Sequence, residues 1–497
     1  MRASGILLPV FSLPSDYGIG CFSKEAFEFI DFLSDSGQKY WQILPCGPTG
    51  FGDSPYQSFS TFAGNPYFIS PEILIEKGLI SVKQSMKYDF GDNSSSIDYG
   101  LLFRERFSLL REAFSCFIPT KEYETFKEKN AFWLEDYSLF MSIKEVNGHK
   151  PLSLWNKEIR LRNPEAINTL KQKLSEEMEF HKFIQYEFRS QWNSLKSYAA
   201  KKEIRIIGDI PIYVSEDSCD LWVNPGLFET DDLGNPVSVA GCPPDGFSKK
   251  GQLWGNPLYD WQMHIKTDFE WWKKRIAYAL EMYDIIRIDH FRGLDEYYSI
   301  KAGSEDAVKG VWRKAPGDLF LENFKKEIAQ GKIIAEDLGF ITDSVKKLLS
   351  DHNIPGMKIL QFAFDSRDSS AKNLYLPHNY TRNCVVYTGT HDNQTLKGWL
   401  ETLGKEDEKS LREYICDYST PKDKLCEALI SQALGSIADT AVIPIQDYME
   451  LDDRGRINTP STLGENWRWR IKKEELNEKL SQKILKLSKT YGRESKS

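Results

Sequence analysis

Three short stretches end runs of β-branched residues on carboxylates. Residues 285–293 read Ile-Ile-Arg-Ile-Asp-His-Phe-Arg-Gly, so the apolar run stops at Asp289 with Arg287 two positions before it. Period-two alternation puts those two side chains on one face of a strand. A carboxylate beside a guanidinium keeps a low pKa and stays ionised, which suits a nucleophile or charge stabiliser and equally suits a structural ion pair. Residues 332–339 end on Glu336 and Asp337, and residues 384–393 end on His391 and Asp392. Together the three acids point to glycosidic-bond chemistry. That chemistry needs an ionised carboxylate to attack the anomeric carbon, a second carboxyl protonated at rest, and stabilisation of a cationic transition state. Glu336 has no cation in its own motif and is placed to keep the raised pKa of a proton donor. Asp337 points the other way along the same strand.

The motifs Arg-Ile-Asp-His-Phe-Arg-Gly, Ala-Glu-Asp-Leu-Gly and Thr-Gly-Thr-His-Asp-Asn, in this order, resemble the catalytic motifs of the amylomaltases, the disproportionating enzymes or 4-α-glucanotransferases. The resemblance extends from Ser4 to Arg470 through Ser-Pro-Tyr-Gln-Ser-Phe-Ser at 54–60, Gly-Asp-Ile-Pro-Ile-Tyr-Val at 208–214, Gly-Gln-Leu-Trp-Gly-Asn-Pro at 251–257 and Asn-Trp-Arg-Trp-Arg at 466–470. It implies Asp289 as nucleophile, Glu336 as general acid and base, and Asp392 as the acid that braces the substrate hydroxyls in the transition state. It further implies sugar-binding places for Tyr56, Asp209, Gln252, Trp254, Arg287, His290, Asp337, His391 and Asn458. Asp209, with Pro211 close behind it, is expected in a supporting role, bracing its turn or Arg287. His290 and His391 adjoin the acids and are read as donors to sugar hydroxyls. Cys242 stands where the family's pattern has a plainer aliphatic residue, which puts no catalytic role in doubt, and Ile457 replaces the expected methionine conservatively.

The resemblance implies transfer of α-1,4-glucan segments from a maltooligosaccharide donor to glucose or another glucan. A double displacement on an acetal uses two carboxyls and a positioned acceptor, so no cofactor or metal is expected, and no Walker, Rossmann or zinc spacing is present. Two rival readings remain. One is a hydrolytic α-amylase-type enzyme, which would share the barrel and the acid trio but not the 251–257 loop; the other is a catalytically inactive glucan-binding barrel, against which the intact acids count.

The elements that must position these residues follow from hydropathy. Short β-branched runs occur at 6–8, 40–44, 204–210, 285–289, 333–336, 359–364, 385–388 and 441–445, the eight strands of a (β/α)8 TIM barrel. Amphipathic segments at 24–34, 269–283, 319–330 and 343–350 alternate with them, as a parallel sheet requires. One barrel is expected to occupy 1–497. The gap at 45–203 is far too long for a loop and carries helical patterns at 99–117, 125–146 and 165–200, so it reads as a helical insertion subdomain walling the catalytic face. Residues 240–261 interleave seven Gly or Pro with Trp254 and Asn256, too irregular for a regular element, and read as an ordered lid. A basic, Leu-spaced helix is expected over 472–491, with 492–497 frayed.

Composition narrows the partners. The formal charge of −8 argues against nucleic acid or an anionic membrane and for a neutral or small-molecule substrate. Aromatic content of 13% suits a site where rings stack on sugar faces. Eight cysteines without a CxxC pair point to a reducing compartment, and a proline at position 9 interrupts any signal-length apolar core, so a cytoplasmic protein is expected. Oligomeric state is left open.

Overall fold

A computed structural model describes residues 2–244, 248–339, 341–365 and 370–495. Eight parallel strands follow one another round a ring: β1 (Ala3–Leu7), β2 (Tyr40–Gln42), β3 (Arg205–Pro211), β4 (Ile285–Asp289), β5 (Ile333–Ala335), β6 (Gly356–Ile359), β7 (Cys384–Tyr387) and β8 (Thr440–Pro444). Strand β8 pairs with β1, and the Ala335 amide donates to the Pro355 carbonyl at 2.9 Å, which joins β5 to the entry of β6. The fold is a (β/α)8 barrel. Its strands are short and rich in Ile and Val because each is buried on both faces, inside against the barrel interior and outside against helices. The interior is not wholly apolar. The Tyr387 hydroxyl donates to Gln42 Oε1 at 2.8 Å, and Arg287 Nε donates to Met357 Sδ at 3.4 Å, so polar contacts cross the barrel interior.

Between β2 and β3 the chain builds a helical layer on Tyr99–Ser115, Lys121–Val146 and Ser175–Lys201. Asp98 and Thr120 cap the first two by accepting from Leu101 and Tyr123 amides. The single helical pattern at 165–200 is divided, Pro164–Lys173 then Ser175–Lys201, with the break at Leu174. Likewise 319–330 divides into Gly317–Glu322 and Lys325–Ala329, where Asn323 turns its amide onto the Leu319 carbonyl and Phe324 buries against Phe320. The sixth strand runs Gly356–Ile359, earlier than the hydropathy at 359–364 places it, because the chain tightens into a 3-10 turn at Leu360–Ala363.

The largest departure lies at 240–261. It is not irregular: Ser238–Cys242 and Gln252–Pro257 are strands of a four-stranded antiparallel sheet completed by Glu296–Lys301 and Gly310–Lys314. Gly251 adopts a left-handed φ of +69° in close contact with the Cys242 carbonyl oxygen, which a Cβ would meet, so only glycine fits there. Residues 245–247 of the expected lid lie outside the described residues, as do 496–497 of the expected frayed tail. Residues 492–495 of that tail are not frayed. Arg493 is fully buried beneath the barrel, after the helix Glu478–Thr490.

Candidate active site

Register brings the acids together. Strands β4 and β5 pair with Ile288 opposite Ala335, and the Glu336 amide donates to the Ile288 carbonyl at 3.0 Å, so Asp289 and Glu336 leave neighbouring strand ends side by side. Arg287 lies between two carboxylates. One guanidinium nitrogen reaches Asp209 Oδ2 at 2.6 Å and another reaches Asp289 Oδ1 at 3.0 Å. Asp209 Oδ2 also accepts the Tyr56 hydroxyl at 2.7 Å, while its Oδ1 is buried with no partner among the described residues. Asp209 therefore braces Arg287 and fixes the loop that carries Tyr56. The Tyr56 ring stacks on His391 with centroids 5.2 Å apart, which sets one wall of the cleft.

Among the described residues, Glu336 has no cation in contact. Its two oxygens accept the amides of His290, at 2.6 Å, and Leu338, at 2.8 Å. His290 donates from a left-handed backbone, φ 52°, an uncommon conformation for a residue with a Cβ. Strain of this kind is retained where the surroundings demand it. The His290 ring is edge-on to Trp254 at 4.7 Å, and its Nε2 is buried with no partner among the described residues. Burial drives its pKa down to about 3, so the ring is neutral at ordinary pH. Trp254 is oriented by Gln252, whose Oε1 accepts the indole N–H at 3.1 Å. Both stand on the antiparallel sheet, so the lid residues are presented by a strand.

Asp392 is fixed from β8's side of the barrel. Asn458 Nδ2 donates to its Oδ1 at 2.6 Å, Arg456 donates to its main-chain carbonyl at 2.8 Å, and His391 Nε2 lies 3.4 Å from its Oδ2. Asp337 is the one residue of the sugar-binding set turned away from the others. Its Oδ1 takes the Met357 amide at 2.6 Å on β6, as alternation along a strand demands. Burial raises its carboxyl to about 7.

Electrostatics here are more crowded than the Arg287–Asp289 pair alone implies. Burial pushes Asp289 upward; Arg287 opposes this, and the carboxylates of Asp209, Glu336 and Asp392 add to it. Glu336 is raised too, first by burial, with Arg287 and the two amide donors opposing. Several acids thus share one cation, with Asp209 and Asp289 in direct contact with it.

Three contributors carry weak signals in sequence. Arg456 sits in a polar loop and acts through backbone. Tyr213, buried with its ring 6.3 Å from His290, reads as core. Asp447, three residues past β8, follows the same strand-end pattern as the three acids, and that pattern is the signal that could have found it.

A family model described as 4-alpha-glucanotransferase matches residues 8–477. A 4-alpha-glucanotransferase of Clostridium butyricum is 48% identical over 490 residues, covering 97% of this chain and 99% of that protein. One from Streptococcus pneumoniae is 43% identical over 498 residues, covering 99% and 97%. The solved amylomaltase of Streptococcus agalactiae, in complex with acarbose, superposes with a TM-score of 0.96 at 40% identity, covering 99% of this chain and all of that one. Match length, identity and coverage agree with the barrel and its acid-lined end, and the chain belongs to the 4-alpha-glucanotransferase family.

Proposed function

We propose that this enzyme moves α-1,4-glucan segments from a maltooligosaccharide donor to glucose or another glucan by a retaining double displacement. The observation that carries the reading is the unequal treatment of two neighbouring carboxyls: Asp289 touches Arg287 at 3.0 Å, and Glu336, among the described residues, accepts from the His290 and Leu338 amides and touches no cation. A full cation in contact favours the ionised form more than amide dipoles do, so among these crowded acids we assign the charge to Asp289 and the proton to Glu336. Asp289 attacks the anomeric carbon as the glycosidic C–O bond breaks, and Glu336 gives its proton to the departing sugar oxygen. Glu336, now ionised, takes the proton of an acceptor hydroxyl, which attacks the same carbon and releases Asp289. Asp392, held by Asn458, accepts from ring hydroxyls as positive charge develops, and the neutral His290 Nε2 and His391 contribute polar contacts to the sugar. The carboxyl groups of Asp289 and Glu336 are then expected about 5 to 5.5 Å apart with the sugar between them.

Transfer must outrun hydrolysis. Water at about 55 M competes with millimolar sugar for the intermediate, and a bound, oriented acceptor wins because positioning supplies effective molarities far above that. Trp254 over the cleft and Tyr56 on its wall are the parts that hold an acceptor and thin out water. With maltotriose, the expected outcome is free glucose plus a ladder of longer maltooligosaccharides at a nearly constant number of reducing ends. A steady rise in reducing ends, with no product longer than the substrate, would establish the hydrolase instead.

A further inference from the structure

The loop carrying Asp392 begins at the end of β7 with Thr388 and ends at Leu396, where the helix Leu396–Thr402 starts. Both ends meet one side chain. Thr388 Oγ1 donates to Asp447 Oδ2 at 2.5 Å, and the Leu396 amide donates to Asp447 Oδ1 at 2.8 Å. Asp447 is 1% exposed and stands in the turn Ile445–Tyr448 that follows β8. Each of its oxygens therefore closes one end of the loop, and the loop's middle is held by the same neighbour segment. Asp453 takes the Gln394 side-chain amide at 2.7 Å and the Thr395 amide at 3.1 Å, Arg456 holds the Asp392 carbonyl, and Asn458 holds its carboxylate.

We propose that Asp447 is a positioning residue for the transfer reaction: by clamping Thr388 and Leu396 it sets where Asp392 stands beneath the sugar. With its ends fixed by Asp447 and its middle by Asp453, Arg456 and Asn458, the loop cannot shift as a unit toward or away from the sugar without breaking some of these bonds. A buried carboxylate that loses either donor bears the full cost of desolvation, so the clamp resists such a shift. The role rests on the reading of Asp392 given above. It acts on the transition state, because that is where Asp392 acts, and so it belongs in kcat and not in binding.

The test is a double-mutant cycle on maltotriose turnover, with an activated glucosyl donor for the slow variants. Asp447→Asn keeps the size but offers one acceptor oxygen for two donors. It is expected to lower kcat roughly 100-fold, the scale of a 1 Å misplacement, with KM within about threefold. Thr388→Val removes one donor and is expected to lose less, with Thr388→Ser restoring activity; this pair carries the test if Asp447→Asn does not fold. In an Asp392→Asn background, Asp447→Asn is expected to cost almost nothing further, because both act through one carboxylate. A full additional loss in that background, or a parental kcat in the folded Asp447→Asn or Thr388→Val single variants, would overturn the proposal. Near-parental turnover by Asp392→Asn alone would instead overturn the reading of Asp392.

Discussion

Two buried arginines mark the two ends of the barrel, and their company differs. Arg493, at the end opposite the acids, is fully buried and donates to five main-chain carbonyls, those of Ala3, Leu434, Ser436, Ala438 and Asp439. Arg287, at the catalytic end, is 3% exposed and meets the carboxylates of Asp209 and Asp289. Carbonyls are permanent dipoles whose charge no pH or ligand alters, so Arg493 ties the C-terminal segment to β1 and to the chain just before β8 as a fixed rivet. Carboxylates titrate, and those around Arg287 outnumber it, so the charge at this end varies with pH in a way the charge around Arg493 does not. One residue type thus has fixed acceptors at one end and titratable ones at the other.

The strongest way to separate the ends is to remove the acids. Asp289→Ala, Glu336→Ala and Asp392→Ala are each expected to cost several orders of magnitude in kcat with an unchanged thermal transition. A correctly folded variant with near-parental turnover would strip that acid of its role. Next come the arginines themselves. Arg287→Met removes the cation that opposes the upward push on Asp289, so Asp289 keeps its proton to higher pH. The acidic limb of the kcat/KM profile should therefore move upward, and activity should fall more steeply at pH 6 than at pH 8, with a loss of roughly 100-fold or more overall. Arg493→Met removes a donor from five carbonyls, of which Leu434 and Ser436 keep Arg2 and Asp439 keeps the Ala3 amide, and is expected to cost about 2 to 4 kcal/mol of stability in denaturant titration. Its pH profile should match the parent's. A shifted profile for Arg493→Met, or a stability loss without a profile shift for Arg287→Met, would break the comparison.

How much of this was legible in sequence follows from the range of the contacts. The eight barrel strands announce themselves because a strand buried on both faces must be apolar throughout, and the acids stand out as the points where that rule stops. The antiparallel sheet escaped because its strands carry glycines, a bulge between Val239 and Gly241, and a partner strand, Glu296–Lys301, that arrives only after β4. Local pattern cannot reveal such pairing. Arg493 reads as a charge in a polar tail, and nothing near it in sequence shows that the carbonyls of Ala3 and Leu434 wait for it. Asp337 was included by motif, although alternation already directed it to the other side. The crowding that raises both Asp289 and Glu336 depends on Asp209 and Asp392, which reach the cluster from other strand ends.

A smaller effect refines the same comparison. Tyr56→Phe removes one of the two donors on Asp209 Oδ2, the other being Arg287. The loss is expected to be about tenfold in kcat, in line with a charge-assisted hydrogen bond, without a change in stability as large as that of Arg493→Met. An unchanged kcat would show that Arg287 alone holds Asp209 in place.

The central claim is that Asp289 carries the charge and Glu336 the proton. Glu336→Gln, given an α-glucosyl fluoride whose leaving group needs no acid, should form the glycosyl intermediate and then stall for want of a base. Mass spectrometry of the digested protein is expected to find the added glucosyl mass on the peptide containing Asp289. A label on another residue, or rapid release of β-configured product with no labelled protein at any time, would contradict the account.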